Sequence, residues 1–177
     1  ALDCNSYDRL GDRRVLIDNS ITTIVLDHHQ QENGLIEADL CYIDPSFACV
    51  GELVFSLLEE EINKMPFPDR IFVCNCLYTT ILNDTNNFAN ANTDAEVLNF
   101  AAKLVDLGIQ PHKLYQNFFL NQSAEETRYV GQTLSTIELY HQRQILVMHS
   151  TYSMSKENHI DPDSIMNVTR WVQGVKG

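Results

Sequence analysis

Positive charge, long apolar runs and paired cysteines are all scarce in this sequence, and each shortage removes a class of function. Lys and Arg together number 12 against 24 Asp and Glu, giving a formal net charge of −12 and a pI near 4.7. Gripping a nucleic-acid duplex takes clustered basic side chains that neutralise phosphates. Duplex DNA is therefore not an expected partner, whereas a short phosphorylated substrate held by metal ions remains one. Apolar stretches such as Leu53 to Leu58 stop far short of the roughly 18–20 residues a membrane span requires, so no transmembrane helix and no membrane partner are expected. Cys4, Cys41, Cys49, Cys74 and Cys76 form an odd set without a CxxC pair. That pattern argues against a zinc ribbon or a disulfide framework and for reduced thiols in a cytoplasmic protein. No internal repeat or low-complexity tract is present. The chain opens Ala1-Leu2-Asp3, with no Met and no basic leader, in what reads as the end of a strand; a fragment is the expectation.

What is present suits a compact domain. A length of 177 residues with 44% hydrophobic content falls in the usual single-domain range of roughly 100–200 residues. Val15 to Asp18, Thr22 to Asp27, Leu40 to Ile43 and Gln144 to His149 read as strands, the second continuous enough in apolar residues for a buried parallel position. Between Phe47 and Ile62, Val50, Leu53, Val54, Leu57 and Leu58 recur at helical spacing. Pro66 and Pro68 end that helix. A second follows through Ile71, Cys74, Tyr78 and Ile81, immediately before Asn83-Asp84-Thr85. Thr93-Asp94-Ala95-Glu96 has capping-box spacing and introduces a buried stripe of Val97, Phe100, Ala101, Leu104 and Val105, ended by Gly108. A helix near Pro111 comes next. Ser123-Ala124-Glu125-Glu126 is a second capping box, with Val130, Leu134 and Ile137 on the inner face of its helix, and Asp161-Pro162-Asp163-Ser164 reads as a turn into a last short helix. Alternating strands and helices predict an α/β fold, a three-layer domain with a mainly parallel β-sheet flanked by helices.

Chemistry concentrates at Asp27-His28-His29, placed where the strand from Thr22 ends, the position at which open α/β sheets put their ligands. Adjacent side chains on an extended backbone point opposite ways, so a turn is needed before one histidine binds metal while the other addresses substrate. A strand that simply ends in polar residues would look the same. Asp84 closes a helix, the unfavourable end for an anion; a bound cation would compensate it, and a plain Asx turn is the alternative. Asp3 is a third carboxylate in a similar setting.

Taken in order, Leu2-Asp3-Cys4-Asn5-Ser6-Tyr7-Asp8-Arg9-Leu10-Gly11, then Val25-Leu26-Asp27-His28-His29, then Thr80-Ile81-Leu82-Asn83-Asp84-Thr85-Asn86-Asn87-Phe88 through Asn92-Thr93, resemble the DHH phosphoesterase family. Within it the chain is most similar to the bacterial oligoribonuclease and 3′-phosphoadenosine 5′-phosphate phosphatase branch, a likeness that extends to Leu104-Val105-Asp106-Leu107-Gly108 and Thr133-Leu134. The resemblance implies a DHH domain over 1–150 and a connecting segment, 151–177, toward a C-terminal substrate-binding domain that the sequence lacks. The family's first motif, an N-terminal strand ending in a His and two Asp residues, has no counterpart. Asn86 stands where a Gly is usual, which bears on how closely the backbone nears a phosphate.

By the same resemblance, Asp3 bridges two manganese ions, His28 and Asp84 are further metal ligands, and His29 faces the scissile phosphate. Asp27 orients a histidine and fixes its tautomer. Magnesium or cobalt would suit the same donors. Two ions about 3.5–4 Å apart clamp the phosphate and acidify a water in such sites. The implied reaction is hydrolysis of short oligonucleotides or nucleotide 3′-phosphates. Two alternatives stand beside it: an inorganic pyrophosphatase or exopolyphosphatase, and a catalytically incomplete DHH domain that serves as a binding module. Oligomeric state stays open, a homodimer included.

Other residues carry weaker signals. Cys74 and Cys76 lie two apart on a helix, hence on different faces, and read as packing thiols. His112, His141, His149 and His159 are scattered singly. Tyr129, Tyr140 and Trp171 read as packing, since no basic residues interleave with them as a single-strand groove needs. Arg128 and Arg170 are minor candidates for phosphate contact.

Overall fold

The computed structural model describes residues 1–30, 33–151 and 172. Contacts divide the chain into two compact units, Ala1–Tyr115 and Gln116–Gly177, the division falling inside the segment expected as one domain. Of the expected connecting segment only Thr151 and Val172 are described; the turn expected at Asp161 to Ser164, with His159, Arg170 and Trp171, lies outside the described residues.

The first unit opens with two 3₁₀ turns, Tyr7–Arg9 and Gly11–Arg13, running into a short helix α1, Arg14–Asp18. The sequence predicts a strand over Val15 to Asp18, and the structure corrects this. Asn19 Nδ2 donates to Val15 O at 2.8 Å and Ser20 Oγ to Leu16 O at 2.6 Å. These side-chain bonds occupy carbonyls that a ladder would need, and the Arg14–Asp18 ion pair has the i,i+4 spacing of a helix.

Strands β1, Ile24–Asp27, and β2, Leu40–Ile43, pair in parallel with Ile24 opposite Leu40. On the other edge of β1 the chain start adds a parallel bridge, Leu2 to Leu26, in which Asp3 N–H donates to Leu26 O and Leu26 N–H to Ala1 O. The predicted parallel sheet is thus present but small. Because side chains alternate, Val25 and Asp27 are buried on one face while Ile24 is 48% exposed. Burial therefore alternates along β1, where the continuous apolar run suggested a strand covered on both faces. Val25 packs with Leu10 and Ile36.

Helices flank the sheet. α2, Val50–Lys64, packs on β1 and on α3, Phe67–Asp84, which in turn packs on α4, Ala95–Asp106. Pro66 and Pro68 mark the α2–α3 junction. α2 and α3 approach so closely at Gly51 that a Cβ there would stand 2.1 Å from Thr80 Oγ1 and 3.0 Å from Leu77 O. The buried face of α2 is Val50, Gly51, Leu53, Phe55 and Ile62, whereas Leu57 and Leu58, part of the predicted stripe, are 51% and 44% exposed. Phe55 meets Phe100 at 5.2 Å between ring centres and draws the face toward α4. On α4 the stripe holds except at exposed Val105. Its cap is Asp94, whose carboxylate accepts from Val97 N–H at 3.0 Å, rather than Thr93; a charged acceptor suits the positive helix end better than a hydroxyl. Gly108, at φ 109°, ends the helix as its spacing predicts.

Helix α5, Pro111–Phe119, spans the division between the units. In the second, α6, Ala124–Leu134, starts at Ser123 with both capping-box bonds formed. Tyr129 and Thr133 are its buried residues, with Val130 and Leu134 half-buried. β3, Glu138–Tyr140, and β4, Ile145–Val147, form an antiparallel hairpin. β4 was legible in the sequence, whereas β3 was not.

Candidate metal centre

Four groups from two places in the sequence converge at the end of β1. Asp3, Asp27, His28 and His29 each offer a ligand atom, all within 4.8 Å of one another, and Asp84 reaches the same point from the end of α3. The local backbone explains the convergence. Asp3 sits at φ 60°, bending the chain off the bridge to Leu26, and the chain bends again at His29, so the two rings lie 4.4 Å apart instead of on opposite faces. Asn5, itself buried, donates from Nδ2 to Gln30 O at 3.2 Å and fixes the path beyond His29.

Asp27, 1% exposed, acts as the hub. Its Oδ1 accepts from the backbone N–H groups of His28 and His29 at 2.8 and 3.1 Å and meets His29 Nδ1 at 2.8 Å. Its Oδ2 is buried with no hydrogen-bond partner. The histidine that Asp27 contacts is thus His29, and a second oxygen, not anticipated from the sequence, is left over.

His28 is arranged differently. Its Nδ1 lies 3.3 Å from Phe47 O, an acceptor that fixes the ring proton on Nδ1. Nε2 then carries a lone pair. It stands 3.3 Å from Asp3 Oδ1 and 3.6 Å from Asp84 Oδ2, yet it is buried without a hydrogen-bond partner. In that tautomer a lone pair faces two carboxylates, an arrangement that favours a positive charge between them, whether a proton or a metal ion. Burial pushes the Asp84 carboxyl up from its ordinary range; the Asn83 amide, which donates to it at 3.0 Å, lowers it, and the charge of Asp3 adds to the rise.

Asp84 is held from behind. Asn90 and Asn92 donate their side-chain amides to its backbone carbonyl at 3.1 and 3.2 Å. Behind them Asn86, Asn87 and Phe88 take left-handed backbone, φ 47°, 57° and 65°. The donor set, two imidazoles and three carboxylates with orphaned nitrogen and oxygen atoms, fits a divalent cation of the manganese or magnesium type.

Of the minor candidates, Arg128 is tied to Glu125 at 3.1 Å on the surface of α6. Cys74 is buried and Cys76 exposed, and Tyr129 is buried. All five cysteines are free. No helix among the described residues is long and apolar enough to cross a membrane. A cavity of about 250 Å³ between α2 and α4, lined by residues that include Phe47, Glu52, Phe55, Glu59, Glu96 and Phe100, contains none of the five clustered side chains.

No family model matches the chain. Over 151 residues, 85% of this chain and 44% of the relative, it is 28% identical to the bifunctional oligoribonuclease and PAP phosphatase NrnA of Thermus thermophilus. Over 122 residues, 67% of this chain and 36% of the relative, it is 27% identical to the uncharacterized protein MG371 homolog of Mycoplasma pneumoniae. In fold it is similar to an exopolyphosphatase-related protein from Bacteroides fragilis, with a TM-score of 0.83 and 22% identity, over 98% of this chain and 51% of that one. The chain therefore spans about half the length, or less, of the proteins it matches.

Proposed function

We propose, on the premise that this chain belongs to a DHH-like family, as its relatives and its fold support, that its acid and imidazole cluster holds two divalent metal ions, manganese foremost. The whole protein would then hydrolyse phosphoester bonds in short oligonucleotides or nucleotide 3′-phosphates. The observation that carries this reading is the buried Nε2 of His28, unpartnered and facing Asp3 and Asp84.

In this reading Asp3, His28 and Asp84 are ligands, and Asp27 contributes Oδ2 while its Oδ1 steadies His29. Bound divalent ions would supply positive charge to the phosphate and lower the pKa of a water toward neutrality. The protein's own residues do the rest. Asp27 sets the His29 ring through Nδ1, which leaves Nε2 for the substrate; in the imidazolium form, which the Asp27 carboxylate favours, Nε2 would donate to a phosphoryl oxygen as charge builds there. His29 keeps 35% of its side-chain surface exposed against 13% for His28, consistent with one ring for substrate and the other for metal. The net charge of −12 favours small substrates over long polyanions. Residues 1–150 would form the catalytic portion and 151–177 the connection to a substrate-binding domain, and the free cysteines support a cytoplasmic setting.

The test is a substrate panel of di- to pentanucleotides, a nucleotide 3′-phosphate, pyrophosphate and polyphosphate, run with manganese on the protein as its gene encodes it. Asp3→Ala and His28→Ala should each abolish manganese-dependent hydrolysis while the circular dichroism spectrum is kept; activity retained in either would contradict the assignment. Turnover confined to pyrophosphate or polyphosphate would move the substrate class, and a folded wild type that binds no manganese would leave the binding-module alternative.

A further inference from the structure

One peptide group links the metal centre to the first turn of α2. Its oxygen, Phe47 O, lies 3.3 Å from His28 Nδ1. Its N–H, that of Ala48, donates to Glu52 Oε2 at 3.1 Å. The C=O and N–H of one trans peptide are coplanar and point in opposite directions, so ring, peptide and carboxylate make one chain of hydrogen bonds. We propose that Glu52 is a positioning residue for the metal centre, holding and polarising the Phe47–Ala48 peptide so that His28 keeps its proton on Nδ1 and turns the Nε2 lone pair toward Asp3 and Asp84. This rests on His28 being a ligand, as proposed above, but reaches a residue that neither touches the cluster nor bears on it by sequence.

The surroundings support the assignment. The loop carrying Phe47 is pinned at its other end, where Asp44 N–H donates to Asp27 O at 3.0 Å and Asp44 Oδ1 accepts from Ser46 N–H and Oγ. Phe47 N–H then closes on Asp44 O at 3.3 Å. With both ends fixed, the Phe47 carbonyl has little freedom to follow a rotating ring, and the ring must follow the carbonyl. Among the described residues no Lys or Arg stands within ion-pair distance of Glu52. Burial and the nearby charges of Asp94 and Glu96 disfavour its carboxylate, and the Ala48 amide is what opposes them. A carboxyl group kept half-buried among such neighbours is suited to a polar task. Hydrogen-bonded chains strengthen one another in a low-dielectric setting, so a carboxylate at the far end makes the carbonyl a better acceptor and the imidazole a better donor of its lone pair. Metal-binding histidines are commonly steadied through their second nitrogen in this way.

Glu52 also lies in the first turn of α2, where a carboxylate stabilises a helix by itself. The experiment must separate that role from the proposed one. It reads the His28 tautomer in the metal-free, ¹⁵N-labelled full chain by two-bond ¹H–¹⁵N correlation of the imidazole rings above the pH at which histidines titrate, with His28 assigned by loss of its signals in His28→Asn. Wild type should show His28 protonated on Nδ1. Glu52→Ala should shift it toward protonation on Nε2 and weaken manganese binding, measured by calorimetry with the metal alone, by about tenfold. Glu52→Gln, which keeps an acceptor and loses the charge, should keep the tautomer and weaken manganese binding by less.

A folded Glu52→Ala with the wild-type tautomer and affinity would overturn the proposal and leave Glu52 a helix-end carboxylate, and so would a wild-type His28 protonated on Nε2. If Glu52→Ala does not fold, Glu52→Gln decides alone: unchanged affinity overturns the proposal, reduced affinity supports it. A wild type that binds no manganese would defeat the metal reading, while the tautomer comparison would still judge Glu52.

Discussion

Two stretches of this chain place three consecutive non-glycine residues in the left-handed region, and they do so for different reasons. Asn86, Asn87 and Phe88 begin two residues after Asp84, with φ of 47°, 57° and 65°; His141, Gln142 and Arg143 turn the chain from β3 to β4, with φ of 50°, 56° and 67°. Left-handed backbone costs an ordinary L-residue roughly 1–2 kcal/mol, less for Asn, so the hairpin triplet carries the greater intrinsic strain. The second is exposed, its turn closed by Gln144 N–H donating to His141 O at 3.2 Å. The first is held from several sides. Thr85, fully buried, donates to Ile81 O at 2.6 Å and accepts from Phe88 N–H at 2.8 Å. Asn87 N–H reaches Leu82 O at 2.8 Å, and Asn90 N–H reaches Thr85 O at 2.9 Å. Strain that a hairpin accepts in order to turn is, behind Asp84, built in and braced so that a carboxylate is presented at a helix end that disfavours it.

Removing the brace should have the largest effect. Thr85→Val preserves shape and deletes both side-chain bonds; it should cost about 1–3 kcal/mol in urea unfolding. A loss under about 0.5 kcal/mol would mean that the triplet needs no such support.

Asp84→Asn comes next and carries a sign. Burial, with help from Asp3, raises the Asp84 carboxyl in the fold. Its stabilising share is therefore complete below the unfolded carboxylate range and is lost as pH rises through the raised value. At neutral pH the metal-free Asn variant should melt about 2 °C higher than wild type, and the gain should vanish in strongly acidic buffer. Manganese should stabilise wild type and leave the variant unmoved. A variant that melts lower at pH 7 in metal-free buffer would show that the carboxylate is not strained.

The smallest effects come from glycine. Gln142→Gly should raise stability by about 0.5–1 kcal/mol, relief of strain outweighing the added freedom of the unfolded chain. Asn87→Gly should gain less, because Asn already tolerates this region. Urea midpoints for the pair would reverse the comparison if Asn87→Gly gained more.

Asp27, His28 and His29 stood out in the sequence by residue type at a strand end, whereas Asp3 and Asp84, two of many carboxylates, were singled out as ligands only by the ordered resemblance of three segments to a family; the structure brings the five side chains together. β1, β2, α2 to α4 and the Ser123 capping box were legible through periodicity and caps. Where the reading failed, the deciding interaction had no periodic signature. Val15 to Asp18 is β-branched enough for a strand, yet Asn19 and Ser20 beyond its end take its carbonyls. Thr93 and Asp94 are both capping residues, and only the fold chooses between them. The Phe47 carbonyl could not be read at all, because every residue has one; the sole hint was a Glu in the first turn of a predicted helix.

The contact at Gly51 reaches further than packing. Thr80, which a Cβ at Gly51 would strike, lies one helical turn before Asp84, and Gly51 lies one residue before Glu52 and four after Phe47. The closeness of these two helices therefore gauges the gap between the ring that Phe47 steadies and the carboxylate at the end of α3. A single methyl group added there, touching none of the five clustered side chains, would widen the bite, and if the cluster holds metal as proposed, its preference would move toward ions of larger radius.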